Sequence, residues 1–346
     1  MVRNPGAEGP KRNKAEVPPP PPVRPRYIAA LLGSAVAALG MFYVGLGALS
    51  ATGHLPPPAF SNSLCVDEKL AFHREHPEAR PNLLVIGSSV AWRHFDGARL
   101  VHDLPQVKPL NGAFCGLAAN QSVYAANWFL DQTPGIRDVL MITSPQDFEN
   151  CSTNRAAIFD GDDAAKYVSG EASPWRYYMR YFDPISLARN AGSIAAQRSG
   201  QDFVDPLVFD PYGSGPLDTT RNRDTLLYGM VKSLDRKCFD AVAALARRLK
   251  AEDRRLLVAT TPLHPDWKAD GSAAPLLAEF NGRMREALAE DPQARFWDGD
   301  AARVVERGAF FDAIHLRWSA AGTYTAALGQ ALHPVAAEPR LQATIR

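Results

Sequence analysis

Ser89, Asp312 and His315 have the types and the order needed to make a serine nucleophilic. A serine hydroxyl attacks well only when a base takes its proton, and that base needs a carboxylate to fix its tautomer. Asp312 and His315 lie within Phe311-Asp312-Ala313-Ile314-His315-Leu316, a spacing that suits one short loop. Ser89 follows the apolar run Leu83-Leu84-Val85-Ile86 through Gly87-Ser88, as if a buried strand delivered it to a tight turn. Each half is a weak signal alone. At opposite ends of one α/β region, together they point to acyl transfer. The same residues also fit a structural reading, in which Ser88 and Ser89 cap the next helix and Asp312 caps one beginning near Ser319.

The elements that must position these groups follow from hydrophobic periodicity. Strand-like runs fall at Leu83–Ile86, Val139–Ile142 and Leu256–Ala259, with a weaker one at Arg295–Trp297. Helical spacing lies between them, as in Phe239, Val242, Leu245, Ala246 and Leu249. Short apolar strands alternating with amphipathic helices imply an α/β domain of three layers, a parallel sheet covered on both faces. Ligands bind such sheets at the carboxyl ends of the strands. Ser89, Gly116 and Gln146 all follow expected strands, which puts them at one site. An attacked ester carbonyl becomes an oxyanion that fixed N–H donors stabilise. The backbone N–H groups of Ser89 and Gly116 can supply two, and the Gln146 amide a third. His264 follows the fourth strand and is a candidate substrate contact. His73 and His76 have no carboxylate pattern to complete a metal site, and no phosphate-binding or dinucleotide fingerprint occurs, so neither metal nor cofactor is expected.

With these residues in place, the sequence resembles the SGNH (GDSL-type) hydrolase superfamily, in its membrane-tethered branch that handles acyl groups on bacterial surface polymers. The Gly-Asp-Ser block is similar to Gly87-Ser88-Ser89, and the following helix to Val90-Ala91-Trp92-Arg93-His94-Phe95-Asp96. The second block's glycine resembles Gly116, in Asn111-Gly112-Ala113-Phe114-Cys115-Gly116. The third block, Gly-x-Asn-Asp, falls on Ser144-Pro145-Gln146-Asp147, where Gln146 replaces the asparagine donor. The fifth block matches Asp312 and His315. The resemblance covers roughly residues 80–330 and implies a serine esterase or O-acyltransferase: Ser89 as nucleophile, His315 as base, Asp312 as orienter, and Ser89, Gly116 and Gln146 around the oxyanion. By analogy it also implies a glycan as acceptor or acylated substrate, and a multi-pass membrane partner that moves acyl groups.

Composition places the chain. Residues 1–26 hold six Lys/Arg against two Glu, and carry the Pro18–Pro22 run; they read as a disordered tail. Removing them from the totals of 38 basic and 37 acidic residues leaves 32 and 35, a net of −3, which argues against a nucleic-acid partner. The 25 residues 27–51 contain no Lys, Arg, Asp or Glu, enough to cross about 30 Å of hydrocarbon as a helix. Basic residues precede that stretch, so the tail is expected in the cytoplasm and everything after it outside. A cleaved signal peptide would have a shorter apolar core. The Ala- and Arg-rich composition suits a GC-rich bacterium, which makes the inner membrane and periplasm the expected places. Residues 52–79 read as a connector, stiffened by Pro56-Pro57-Pro58, and a helix. The catalytic domain is expected over 80–335, with a C-terminal tail over 336–346.

All four cysteines, Cys65, Cys115, Cys151 and Cys238, follow the apolar stretch. Two disulfides in an oxidising compartment allow three connectivities, and buried free thiols are the alternative. Cys115 and Cys151 follow the second and third strands, which favours Cys115–Cys151 and leaves Cys65–Cys238. Residues 152–225 break the α/β rhythm and include Trp175-Arg176-Tyr177-Tyr178-Met179-Arg180-Tyr181-Phe182. That insertion reads either as a glycan-binding lid using Trp175 and Arg176, or as a helical hairpin packed on the domain. The expected function is a membrane-anchored, periplasmic serine O-acyltransferase acting on an envelope or secreted glycan. A deacetylating esterase and a non-catalytic glycan-binding protein are the alternatives.

Overall fold

The computed structural model describes residues 24–61, 63–77, 80–221, 231–269 and 271–337. The N-terminal tail up to residue 23 and the C-terminal tail from residue 338 lie outside them. The chain divides into two units, Met1–Thr52 and Gly53–Arg346. In the first, helix α1 (Pro25–Ala51) starts with a proline in its first turn and stops before Gly53, which takes φ +74°. Proline pre-sets helical φ where no N–H is needed, and glycine enters the left-handed region without a Cβ clash. Twenty-seven residues rise about 40 Å. With a mean hydropathy of 1.9 over an 18-residue stretch, α1 is long and apolar enough to cross a membrane.

The second unit contains α2 (Leu64–Glu75), β1 (Leu83–Gly87), α3 (Ser89–His94), α4 (Gly97–Asp103), β2 (Pro109–Asn111), α5 (Ala119–Gln132) and β3 (Asp138–Thr143). There follow α6 (Gly161–Val168), α7 (Pro174–Arg180), α8 (Pro184–Arg198), α9 (Arg236–Ala251) and β4 (Arg255–Thr260). Last come α10 (Pro265–Lys268), α11 (Ala273–Leu288), β5 (Arg295–Trp297) and α12 (Trp318–Ala337). The five strands form a parallel sheet in the order β2-β1-β3-β4-β5. Alternate residues of the central strands face opposite layers, as the period of two requires. Leu84, Ile86, Val139, Met141, Leu256 and Val258 pack with α2, α5, α9 and α11. Leu83, Val85, Leu140, Ile142, Leu257 and Ala259 pack with α3, α4 and α12. This is the expected three-layer α/β/α domain. Burying one such Val, Leu or Ile contributes roughly 1.5–3 kcal/mol.

Aspartates mark where several helices begin: Asp96, Asp160, Asp183 and Asp235 each accept a first-turn backbone N–H. Strand order reverses at β1, whose neighbours are β2 and β3, and such a switch point opens a crevice at the carboxyl ends. Helix α2 belongs to this unit, with Val66 and Leu70 in its core. The connector does too. Pro56, Pro57 and Pro58 are buried, and Tyr178 Oη donates to the Pro56 carbonyl at 2.7 Å. In the insertion, Tyr167, Tyr177 and Tyr181 gather round Phe60 with ring centroids 4.8–5.1 Å away, so much of its aromatic content is packing.

The disulfides correct the expected pairing. Cys65 pairs with Cys115 and Cys151 with Cys238, at Cα–Cα distances of 6.3 and 5.3 Å. The expectation failed because β2 and β3 are not neighbours; β1 lies between them. Each strand-end loop is tied instead to a helix, Cys115 to the start of α2 and Cys151 to the first turn of α9. Non-reducing peptide mapping should recover Cys151 linked to Cys238, and Cys238→Ser should cost about 2–5 kcal/mol in denaturant unfolding. A Cys115–Cys151 peptide would contradict the structure.

Candidate active site

β1 ends at Gly87, in register with Ile142 of β3, and takes φ +142°. A Cβ there would lie 2.1 Å from the Ile142 carbonyl oxygen and 2.6 Å from the Ala91 Cβ. Only glycine lets the chain turn this tightly from strand into helix. The turn sets Ser89 at the first position of α3, with Ser88 just before it. Neither serine does the capping a structural reading needs. Ser88 makes no side-chain cap; its hydroxyl hydrogen-bonds Asp147 instead.

The Ser89 hydroxyl donates to His315 Nε2 at 2.8 Å, and His315 Nδ1–H donates to Asp312 at 2.9 Å. Asp312 does not cap α12. It accepts the backbone N–H groups of Ile314 and His315 at 3.0 and 2.9 Å, which folds the loop onto its own carboxylate. Burial pushes the Asp312 carboxyl up, but hydrogen bonds from the His315 ring and these N–H groups outweigh it and hold it below the usual carboxylate range. An ionised Asp312 fixes the tautomer in which Nε2 accepts the serine proton. An antiparallel bridge between Phe310 and Leu316 closes the loop, and the His264 N–H ties it to β4's end by donating to the Ala313 carbonyl at 3.0 Å.

A cleft of about 700 Å³ opens on this array. Ser88, Ser89, Gly116, Gln146, Asp147 and His315 all line it. Gly116 takes φ +66° and has open space where a Cβ would stand, so its backbone can face a bound group closely. The Gln146 Nε2 and Oε1 are both buried, and neither has a hydrogen-bond partner among the described residues. A buried amide without a partner costs energy unless a ligand supplies one. This one lines the cleft that holds the serine, as an oxyanion donor requires. The structure thus brings together Ser89, Gly116, Gln146, Asp312 and His315.

It does not bring in the other three candidates. His264 caps α10, accepting the Asp266 N–H on Nδ1 at 3.1 Å, and its ring meets Phe310. Trp175 and Arg176 sit exposed on α7 and are not among the cleft-lining residues. What lines the cleft from the insertion is less aromatic: Asn154, Gln197, Val204, Asp205, Leu207 and Leu217. These residues carry no pattern that a sequence reading could pick out.

Sequence reasoning missed a support behind the base. His94 points away from Ser89, as its place on the helix suggests, yet it is fully buried against the loop. Its Nε2 accepts the Leu316 N–H at 2.8 Å, so Nδ1 carries the proton and donates to Thr261 Oγ1 at 2.6 Å. Burial above all, and repulsion from His315 whenever that ring gains a proton, keep His94 well below its usual range, hence neutral. Asn111 does similar work below the second loop, donating to the Ala91 carbonyl at 3.1 Å and accepting the Ala113 N–H at 3.0 Å. Asp147 accepts from Thr143 Oγ1 and the Ser144 N–H at 2.7 and 3.0 Å. Desolvation nonetheless pushes its carboxyl up to about 6.

No protein-family model matches the sequence, and no curated protein matches it significantly. Among solved structures, the chain is similar to a carbohydrate acetylesterase family member from Sinorhizobium meliloti, at 14% identity and a TM-score of 0.37, over 73% of this chain and 96% of that one.

Ser89→Ala should abolish labelling by a fluorophosphonate probe and lower turnover by a factor on the order of 10⁴. Gln146→Ala, with the triad intact, should keep labelling but lose about 10²-fold in kcat. Labelling that survives Ser89→Ala would remove it as the nucleophile.

Asp147 gives a pH signature. Its pKa is raised on folding, so the stability from its bound proton is present below the ordinary carboxylate pKa and lost as pH rises to about 6. Asp147→Asn lacks that loss. Between pH 4 and 7 its unfolding free energy should gain on wild type by at most about 3 kcal/mol, read from parallel denaturant titrations.

Proposed function

We propose that this chain is a membrane-anchored serine enzyme of the SGNH type that transfers an acyl group to a hydroxyl of a cell-envelope or secreted glycan. The observation that carries the reading is the continuous Ser89–His315–Asp312 hydrogen-bond line, opening on a cleft that also holds the Gln146 amide. His315 Nε2 takes the Ser89 proton as Oγ attacks the donor ester carbonyl. The oxyanion forms against the Ser89 and Gly116 N–H groups and the Gln146 amide. Collapse expels the donor alkoxide, which takes the proton from His315 and leaves acyl-Ser89. His315 then deprotonates an acceptor hydroxyl, whose attack gives the new ester and expels Ser89 Oγ, which takes the proton back from His315.

The cleft volume far exceeds an acetyl group and leaves room for a sugar ring. Asn150, Asn154, Gln197 and Asp205 give that space hydrogen-bonding side chains for hydroxyls. Helix α1, with Arg24 at its N-cap and Arg26 in its first turn, supports an anchor with its N-terminus in the cytoplasm. Two disulfides in the second unit support an exported, periplasmic domain. The donor in this reading comes from a multi-pass membrane protein beside the anchor. Hydrolysis shares the acyl-serine, with water in place of the sugar, and would make the chain a deacetylating esterase.

The deciding measurement is mass spectrometry of oligosaccharides incubated with the full chain and an activated acetyl ester. Transfer predicts acetyl on the sugar and ester turnover that rises when acceptor is added. Acetylated glycan that loses acetyl groups, with none gained by any acceptor, assigns the esterase instead. Binding of glycan without turnover of either ester would reject an enzyme.

A further inference from the structure

Outside α1, the large apolar side chains that stand exposed among the described residues are Trp175, Met179, Phe182 and Ile185, at 40, 48, 49 and 75% exposure. They fall within eleven residues: Trp175 and Met179 on α7, Phe182 in the short connector, and Ile185 in the first turn of α8. The four-residue step from Trp175 to Met179 puts both on one side of α7, and Phe182 follows just beyond its C-cap, Tyr181. The opposite side is committed inward, with Tyr177 fully buried against Phe60. Such a cluster on a domain surface marks a docking site rather than chance exposure.

Its place in the chain says what it meets. Tyr178 of α7 holds the Pro56 carbonyl, and Arg198 of α8 donates from Nη1 to the Leu55 carbonyl at 3.1 Å. The same Arg198 pairs with Glu68 of α2. Both helices of the patch are therefore fastened to the residues that follow the apolar helix. α1 is capped at Thr52, and four residues of chain reach no further than about 14 Å. If α1 spans a bilayer, α7 cannot leave the neighbourhood of its surface. Tryptophan, tyrosine and flanking arginines are the side chains that settle at headgroup depth. Exposed Arg176 and Arg189 lie beside the apolar cluster and can meet phosphates, while Arg180 is engaged with Asp163 at 2.7 Å.

We propose that the α7–α8 corner is a second membrane contact: Trp175, Met179, Phe182 and Ile185 enter the headgroup–acyl boundary of the leaflet from which α1 emerges. It takes a lipid surface bearing anionic headgroups, not a sugar. This rests on the reading of α1 as an anchor and is independent of the acyl chemistry.

The test uses an absence of tryptophan from residues 25–51, so that quenching by lipid reports only on the second unit. The full chain is reconstituted into phosphatidylglycerol-containing vesicles whose acyl chains are brominated near the headgroup. Trp175 is the one tryptophan of six classed as exposed. Emission should fall relative to unbrominated vesicles, and the fall should disappear in Trp175→Phe. Ile185→Glu, at the most exposed position, should reduce the quenching while the chain still floats with the vesicles. Flotation with no quenching in wild type overturns the patch and leaves the anchor standing. A chain that stays at the bottom of the gradient overturns the anchor, and the patch with it. Concentration-dependent dimers that Ile185→Glu disperses, with no quenching, assign the surface to a second copy instead.

Discussion

A hydroxyl and an imidazole nitrogen must stay within 2.8 Å of each other although 226 residues separate them in the chain. Any proton transfer from Ser89 depends on that distance, and a shift of about 1 Å costs orders of magnitude in rate. The serine side is held by a central strand buried on both faces and by a turn that only Gly87 can make. The histidine side has no strand of its own. It is held by a carboxylate that folds the loop on itself, by the Phe310–Leu316 bridge, and by His94 from behind. His94 lies on the same short helix as Ser89, so α3 fixes both ends of the hydrogen bond.

Two buried aspartates at this site illustrate how surroundings decide charge. Asp312 accepts from an imidazole and two backbone N–H groups, and these outweigh desolvation. Asp147 accepts from two hydroxyls and one backbone N–H, and they do not. An orienting group has to stay ionised while the base gains and loses its proton, and Asp312 has the environment for that. Asp147 instead holds Ser88 and the start of the turn that carries Gln146.

Much of this arrangement was legible in the residues. β1, β3 and β4 are apolar runs with no competing interpretation, and the spacing of Asp312 and His315 named the loop. A strand before Cys115 is expected, but its place in the sheet is not legible, since three residues beginning with proline carry no period. Because its place in the sheet was unknown, the cysteines were paired between strands that β1 separates. That His264 and Trp175 lie outside the cleft lining is not legible either, for a related reason. Histidine before Pro265-Asp266 makes as good a cap as a ligand, and an aromatic–arginine run looks alike whether it faces a sugar, a core or a lipid. Nothing in Asn111, His94 or Thr261 announces a supporting role, because such roles exist only between side chains far apart in sequence.

The Cys151–Cys238 bond has a consequence for how this chain can change. Its partners are 87 positions apart, and the segment between them holds α6, α7, α8 and the irregular stretch that lines part of the cleft. One covalent bond clamps both ends of that excursion, immediately beyond the Gln146 turn. Its exposed turns, away from the tyrosines packed on Phe60, can therefore lengthen, shorten or be exchanged while its two feet stay where they are. The loops that carry Ser89, Gln146 and His315 would tolerate repeated trials of new surfaces beside them, as a socket tolerates different tools.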